Sequence, residues 1–291
     1  MLPGSLFKYG NKRIQIFRVD SNGYPMGTLL TPDAPTLPTT THALVLQGYV
    51  SATPSVREVD TATDQADGTN YGDIEMGISS FGAVEITLSM RSETAFNLIR
   101  GVVPNNTISS AMYITTANNT SIAPRLFGMI ITDRVRDEIT NVPQYEHTVY
   151  NRGTIMITQE AEGNQGGGVN PSPLTISFKP QPSTRLVSIG MLYSATNLTP
   201  DENTDTHTIF RSTYQLSATT FVKDGVATTF NTFYKPSVAA ATIGGVNVYT
   251  TNGVQAALTS LATTTGLATM TAAGTSGHIA VVLYATNFVL V

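Results

Sequence analysis

The sequence predicts an all-β fold with one short helix. Charged residues make up only 12% of its 291 residues, about half the usual share. Thr, Ala, Asn, Ser and Gly fill the space between apolar residues, which is typical of strands and turns. Short alternating runs separated by Gly, Pro, Asn and Asp recur along the chain. Together these features favour strands nearly throughout.

The stretch around which the other elements are arranged runs from Asp73 to Gly101. Apolar and polar residues alternate from Val84 to Arg91, as in a strand with one buried face. Ile74–Ile78 alternates as well, at hairpin distance, so we expect a hairpin from Ile74 to Met90. Ser92 is a suitable N-cap and Gly101 a stop, which predicts a short helix between them.

Upstream of this stretch, the sequence predicts strands and an extended arm. A strand begins near Lys8 and ends at a turn over Asp20–Gly23. Three prolines between Thr31 and Thr41, Pro35 among them, cannot donate to a ladder and favour an extended arm that can reach a neighbour. Strand character resumes at Ala43 and continues towards Val59, which predicts a strand that is either long or bent at Gly48.

The segment from Asp60 to Asp73 has no apolar periodicity, and we expect it to be a long loop between two strands. Its acidic spacing, Asp60, Asp64 and Asp67, raises the alternative of a calcium site. The D-x-D-x-D-G pattern and the closing Glu of an EF-hand loop are absent. A solvated or subunit-bridging loop is therefore the favoured interpretation.

Beyond the predicted helix, a second hairpin is expected. Two alternating runs within Tyr145–Gln159 are broken at Asn151–Gly153, which suggests a turn. Glu160–Pro173 is a Gly-rich loop, and Leu174–Phe178 alternates as a strand.

Pro180–Pro182 is the best candidate for a domain boundary, and it divides the chain into domains 1–182 and 183–291. The second domain has about seven short strand candidates, which suits a β-sandwich. The segment Gln255–Thr263 reads equally as a strand or a helical turn. The strand candidates are Leu186–Leu192, Thr208–Leu216, Phe221–Val222, Ala227–Phe233, Val246–Tyr249, Leu267–Met270 and Ile279–Val289.

The residues give no support to catalysis. The chain has no Cys and no Trp, which removes thiol chemistry and Cys-built zinc sites. There is no G-x-S-x-G elbow, and the Gly166–Gly168 run lacks the context of a phosphate loop. The histidines are far apart in sequence and form no metal motif. A metal site built from distant histidines stays an alternative. The four histidines are His42, His147, His207 and His278. We expect no enzyme activity, no cofactor and no metal.

The net charge and the hydropathy of the chain indicate which classes of binding partner to expect. A net charge of −4 disfavours steady binding to nucleic acid. No apolar run approaches the length of a membrane span, so no membrane partner is expected. The first residues lack the features of a signal peptide, which suggests synthesis in the cytoplasm.

A resemblance adds a specific expectation. RIQIFRVDSNGYPMG, from Arg13 to Gly27, resembles the opening of the long-tailed bacteriophage tail tube (major tail) protein family, where a strand ends in a D-x-x-G-x-P-x-G turn. Ala43–Gly101 is similar to the family's next block, a strand, a long polar loop, two strands and a short helix. Tyr145–Phe178 resembles its later hairpin and closing strand, and Ser237–Tyr284 resembles an Ig-like appendage of some members.

The resemblance implies assembly into stacked hexameric rings that form the tail of a virion. In this family two hairpins of each subunit join those of its neighbours in a lumen-lining β-barrel, flanked by the helix. The implied partners are other copies of the chain, other tail proteins and DNA passing through the lumen. Candidate lumen residues are Glu75, Glu85 and Thr87. Candidate ring-to-ring contacts are Asp60, Asp64, Asp67, Tyr71, Asp73, Pro35 and Gly167.

Two other virion roles share this composition. A β-sandwich module that binds carbohydrate or a receptor is the first alternative, with Tyr residues as sugar platforms in the absence of Trp. A capsid decoration protein is the second.

Overall fold

The computed structural model confirms an all-β fold. Of the predicted helix Ser92–Gly101 only Ile99 is described; its backbone is helical, and the described part of the chain has no other helical residue. The structure describes residues 6–19, 39–46, 49–54, 58–66, 69–80, 82–88, 99, 103–104, 113–114, 125–137, 141–160, 174–182, 206–238, 247–249, 255–277 and 279–291.

Twenty strands are described, and all their pairings are antiparallel. The first twelve are β1 Leu6–Val19, β2 Thr39–His42, β3 Leu44–Leu46, β4 Tyr49–Pro54, β5 Glu58–Ala66, β6 Thr69–Ser80, β7 Val84–Leu88, β8 Val103–Pro104, β9 Tyr113–Ile114, β10 Leu126–Asp137, β11 Pro143–Glu160 and β12 Leu174–Pro180. The others are β13 His207–Ser212, β14 Leu216–Val222, β15 Thr229–Asn231, β16 Tyr234–Pro236, β17 Asn247–Tyr249, β18 Gln255–Leu261, β19 Leu267–Met270 and β20 Ile279–Leu290.

The first large sheet curls until its two end strands come together, and we call this curled sheet the barrel. Its strand order is β3-β1-β10-β11-β12-β7-β4, and only Gln47 and Gly48 separate β3 from β4. The Cα atoms of Leu46 and Tyr49 are therefore at most about 11 Å apart. In a flat sheet the two end strands would lie roughly 29 Å apart. The sheet must curl until β3 and β4 continue each other, and β1 contacts β4.

Side chains from all around the barrel fill its interior. Alternate residues point inward, so Val84, Ile86 and Leu88 of β7 are buried while Glu85 is exposed. Because the interior is filled, this barrel is a packed core and no pore. The buried members of this core are Ile14, Ile16, Leu44, Leu46, Val84, Ile86, Leu88, Phe127, Met129, Ile131, Tyr150, Ile176 and Phe178.

A second sheet, in the order β15-β19-β18-β17-β20-β14-β2, shares a core with the outside of the barrel. The barrel contributes Phe17, Val19, Ile130 and Val149 to this core, which is why residues 14–19 of β1 and 127–132 of β10 are buried on both faces. β14 is buried along its whole length. The chain thus forms two β layers with an apolar core between them.

Each layer contains a strand from the other half of the sequence. β2, from the end of the predicted arm, pairs with β14 through Thr219 and His42. β13 pairs with β11 through Tyr145 and Ser212. These exchanges cross position 182, where the domain boundary is predicted. The division into domains 1–182 and 183–291 stays a prediction, as does the Ig-like character of the second.

The hairpin predicted within Tyr145–Gln159 is wrong, because β11 is one continuous strand of 18 residues. Asn151 and Arg152 form a bulge opposite Gly128 of β10. A Cβ atom at Gly153 would lie 2.5 Å from the carbonyl oxygen of Lys179. Gly153 therefore permits a close strand approach rather than a turn.

The loop predicted at Asp60–Asp73 is also wrong, because it lies in the antiparallel pair β5–β6. Consequently the predicted hairpin from Ile74 to Met90 does not form. β7 instead pairs with β12 and β4. Burying Val84, Ile86 and Leu88 in the barrel stabilises that arrangement by about 1.5–3 kcal/mol for each side chain.

In the second half of the chain, β19 coincides with the predicted strand Leu267–Met270, and β20 nearly matches Ile279–Val289. The ambiguous segment Gln255–Thr263 is a strand, β18, through Leu261. The candidate Leu186–Leu192 lies outside the described residues.

Candidate functional site

The outer face of β7 and β12 is polar and belongs to the half of the barrel away from the second sheet. Glu85 is exposed and Thr87 half-buried on β7. Ser177, opposite Glu85 on β12, donates its hydroxyl to Glu85 Oε1. Thr53 of β4 pairs with Glu85 from the other side and is exposed. Hydroxyl groups and a single carboxylate thus line this face.

This polar face continues onto β11 with one apolar exception. Met156, which pairs with Ser177, is 63% exposed. Lys179 adds an exposed cation two residues further along β12. Such a mixture of hydroxyls, one Met and balanced charges provides hydrogen bonds and contact area, as interfaces between proteins do.

The β5–β6 hairpin is the second candidate. β5 and β6 pair with each other and with no other described strand. The hairpin is an excursion from a barrel connection, because Pro54 at the end of β4 pairs directly with Val84 at the start of β7. A lone two-stranded hairpin is marginally stable in water. Both its outer edges carry backbone groups available to another chain.

The hairpin segment is strongly acidic. Residues 58–80 contain six of the chain's 20 acidic residues and no Lys, Arg or His. Such a charge density disfavours packing against a copy of the same hairpin and favours a cationic partner surface. The six are Glu58, Asp60, Asp64, Asp67, Asp73 and Glu75.

A cleft of about 330 Å³ lies at the far end of the first sheet, lined by Tyr9, Arg134, Arg136 and Pro143. Tyr9 and Gly10 form a bulge opposite Arg134, with Gly10 at φ +95°, and Tyr9 is 59% exposed. A bulge of this kind re-aims its side chain. The sequence reasoning missed this cleft, although the alternation Arg134-Val135-Arg136 was a signal for two cations on one strand face.

Beside the cleft, charged residues link four neighbouring strands. Lys8 Nζ lies 2.5 Å from Glu146 Oε1 and 3.6 Å from Asp133 Oδ2. Arg211 Nε donates to Glu146 Oε2 at 3.1 Å. This network joins β1, β10, β11 and β13 and holds the edge strand β13 to the sheet.

The network shifts the pKa values of its carboxyl groups in opposite directions. Burial would raise the pKa of Glu146, but hydrogen bonds from Lys8 and Arg211 outweigh it, so the pKa lies below the usual value. Burial raises the pKa of Asp133. Lys8 lowers this pKa, but it lies farther from Asp133 than from Glu146 and offsets only part of the effect of burial. The hydrogen bond to Glu146 raises the pKa of Lys8. The shifts follow ion pairing and indicate a structural network.

Two histidines are held neutral. Burial lowers the pKa of His147 to about 4, against weaker opposite effects of the Tyr214 carbonyl and Glu146. Its ring nitrogens lie 3.0 Å from Thr132 Oγ1 and 3.2 Å from Ser212 Oγ. Burial also lowers the pKa of His42 to about 4, and its ring stacks on Phe233 at 3.5 Å. Both are packed within the fold.

The structure separates the predicted lumen residues. Glu75 lies in β6 and Glu85 in β7, so the prediction that one hairpin carries both is wrong. Thr87 shares β7 with Glu85. Among the predicted ring contacts, β5 and β6 bring together Asp60, Asp64, Tyr71 and Asp73, whereas Pro35, Asp67 and Gly167 lie outside the described residues.

Comparison with protein-family models gave no match, and comparison with curated proteins gave no significant match either. Within the described ranges no three His, Asp or Glu residues are grouped so as to hold a metal ion. The same part of the chain contains no helix with the length and hydropathy needed to cross a bilayer.

Proposed function

We propose that this chain is a structural subunit that assembles with copies of itself, as the tail tube of a long-tailed bacteriophage does. The observation that carries the proposal is the β5–β6 hairpin, which pairs with no other described strand. Its two strands extend over 9 and 12 residues. A hairpin of that length that contributes to neither large sheet gains its stability from a partner.

The sequence resemblance supplies the class of assembly. Arg13–Gly27 and the order of blocks up to Phe178 resemble tail tube proteins, whose subunits form stacked rings around a channel for DNA. The polar outer face with Glu85, Thr87 and Ser177 supports this proposal because it offers hydrogen-bonding groups over a broad strand surface. An acidic channel wall would repel DNA phosphates and let the genome slide.

The position of the β5–β6 hairpin changes which segment we propose to contact a neighbouring subunit. β5–β6, rather than a hairpin over Ile74–Met90, is the segment available to a neighbouring subunit. Glu75 belongs to this hairpin, whereas Glu85 and Thr87 lie on the barrel wall.

Electron microscopy with a matched variant tests the proposal. In the variant, residues 58–80 are replaced by a short Asn-Gly turn, which the pairing of Pro54 with Val84 accommodates. We expect the unaltered chain to form tubes or stacked rings with a central channel, and the variant to keep a β-type circular dichroism spectrum and its melting temperature but remain unassembled. Compact monomers or trimers of the unaltered chain at every concentration would overturn the proposal.

A further inference from the structure

We infer that the cleft formed by Tyr9, Arg134, Arg136 and Pro143 receives the acidic β5–β6 hairpin of a second copy of this chain. The inference rests on the proposed function and deepens it, because it names the two surfaces that meet. It pairs the most acidic described segment with a cleft that two arginines line.

The guanidinium group of Arg136 is fixed in an orientation suited to binding a carboxylate in the cleft. Arg136 donates its Nε to the carbonyl oxygen of Asn141 at 3.2 Å. Asn141 adopts a left-handed conformation at φ 57°, and its own N–H is bonded to Asp137 O at 2.9 Å. The β10–β11 connection therefore orients one guanidinium group, which reduces the entropy lost when a ligand binds.

Arg134 is the other half of the cleft. It is exposed and forms no ion pair with any residue the structure describes. A guanidinium group binds a carboxylate through two parallel hydrogen bonds. The Tyr9 ring adds a flat apolar contact with a hydroxyl at its end. A pair of carboxylates beside small polar residues fits this lining.

The opposite charges of the hairpin and the cleft indicate that the hairpin is the segment that binds in the cleft. The net charge of −4 disfavours nucleic acid as a partner of the whole chain. Within the same chain, residues 58–80 carry six carboxylates and no cation, and their strands pair with no strand of either large sheet. A cleft of about 330 Å³ takes a few side chains rather than a strand pair. The hairpin therefore contacts the cleft through side chains near its tip, where Ala66 pairs with Thr69.

Charge reversal provides the first test. We expect Arg134→Glu to raise the protein concentration needed for half-maximal assembly by about tenfold or more, because it sets like charges against each other. Lys235→Glu is the matched control, since it makes the same charge change on β16 of the second sheet, outside both the cleft and the polar barrel face. Reversing Asp64 and Asp67, the carboxylates nearest to this tip in the sequence, to Lys in the Arg134→Glu chain should restore assembly. Equal effects of the cleft variant and the control would overturn the inference.

The absence of cysteine permits a second test by cross-linking. Chains carrying Arg136→Cys are mixed with chains carrying Thr69→Cys and treated with a short bismaleimide. We expect a product of twice the chain mass in native buffer, and its loss in urea. Equal cross-linking when Val226→Cys, at an exposed position outside both proposed surfaces, replaces Arg136→Cys would overturn the contact.

The two proposals fail in different ways. A chain that assembles into rings or tubes, with neither the charge effect nor the cross-link, overturns this contact and leaves the proposed function standing. A chain that is monomeric at every concentration overturns both.

Discussion

Gln15 and Ser217 form a buried hydrogen bond between residues 202 positions apart in the sequence. Ser217 Oγ donates to Gln15 Oε1 at 2.9 Å, and Gln15 Nε2 donates to the carbonyl oxygen of Leu216, also at 2.9 Å. Both side chains are fully buried. Gln15 thus connects barrel strand β1 to strand β14 of the second sheet, which lies between β20 and β2.

Removing this connection should destabilise the whole fold. We expect Gln15→Met to lower the free energy of unfolding by about 1–3 kcal/mol, because it removes both hydrogen bonds while keeping a similar volume. Urea denaturation measures the change.

A double-mutant cycle with Ser217→Ala isolates the pair. The coupling free energy between the two positions should be about 0.5–3 kcal/mol. Strict additivity of the two single variants would contradict the role given to this bond.

Gly153 should tolerate no side chain. A Cβ atom there would lie 2.5 Å from both the Lys179 carbonyl oxygen and the Phe178 ring, so β11 and β12 would have to separate. We expect Gly153→Ala to cost about 1–3 kcal/mol or more, measured as a lower melting temperature. Met156→Ala on the same strand is the control, since its exposed side chain should change stability by no more than about 0.5 kcal/mol.

His147 should make stability fall at mildly acidic pH. Its pKa is about 4 in the fold and 6.5 in the reference state, so the unfolded chain binds more protons between these values. Stability from neutral His147 is therefore fully present above pH 6.5 and is lost as the pH falls towards 4, by about 3 kcal/mol in total.

Urea denaturation between pH 7 and pH 4.5 measures this dependence, and His147→Gln serves as the comparison because all other titrating groups remain. The variant should be less stable at pH 7 and show a shallower decline on acidification. Parallel pH profiles for the two proteins would contradict a neutral buried His147.

Glu146 should contribute to stability through Lys8 and Arg211. Both cations are about half exposed, so solvent screening reduces the effect and we expect Glu146→Gln to cost about 1–2 kcal/mol at pH 7. Because the pKa of Glu146 lies below its reference of 4.5, the difference should persist down to that pH and shrink below it. Glu85→Gln, at an exposed carboxylate, should change stability little.

The sequence predicted strands where burial enforces alternation. Val84–Leu88 and Leu267–Met270 show one buried and one polar face, and the structure forms strands at both. β5 and the first part of β6 are not predicted, because residues 60–73 carry no apolar period although backbone pairing organises them. Within β6 only Ile74–Ile78 alternates, and the sequence does predict a strand there. Alternation also does not show which neighbour a strand pairs with, which is why the sequence predicts a pairing of β7 with β6 that the structure does not form.

Other features depend on contacts that only the fold brings together. Asn151–Gly153 has the composition of a turn, and its place in a continuous strand follows from the Phe178 ring on β12. The cleft at Arg134 depends on a bulge at Gly10, about 120 residues away. Local sequence contains neither relationship.

The exchange of β2 and β13 between the two layers sets the order in which a nascent chain can fold. Until residues beyond 205 leave the ribosome, β11 lacks its neighbour β13 along Tyr145–Tyr150, and β2 lacks β14. Phe17 and Val149 would also face water in the meantime. The N-terminal half therefore cannot complete its fold before the C-terminal half has been synthesised. We expect the two halves to fold as one cooperative unit, and a prematurely truncated chain to be prone to aggregation.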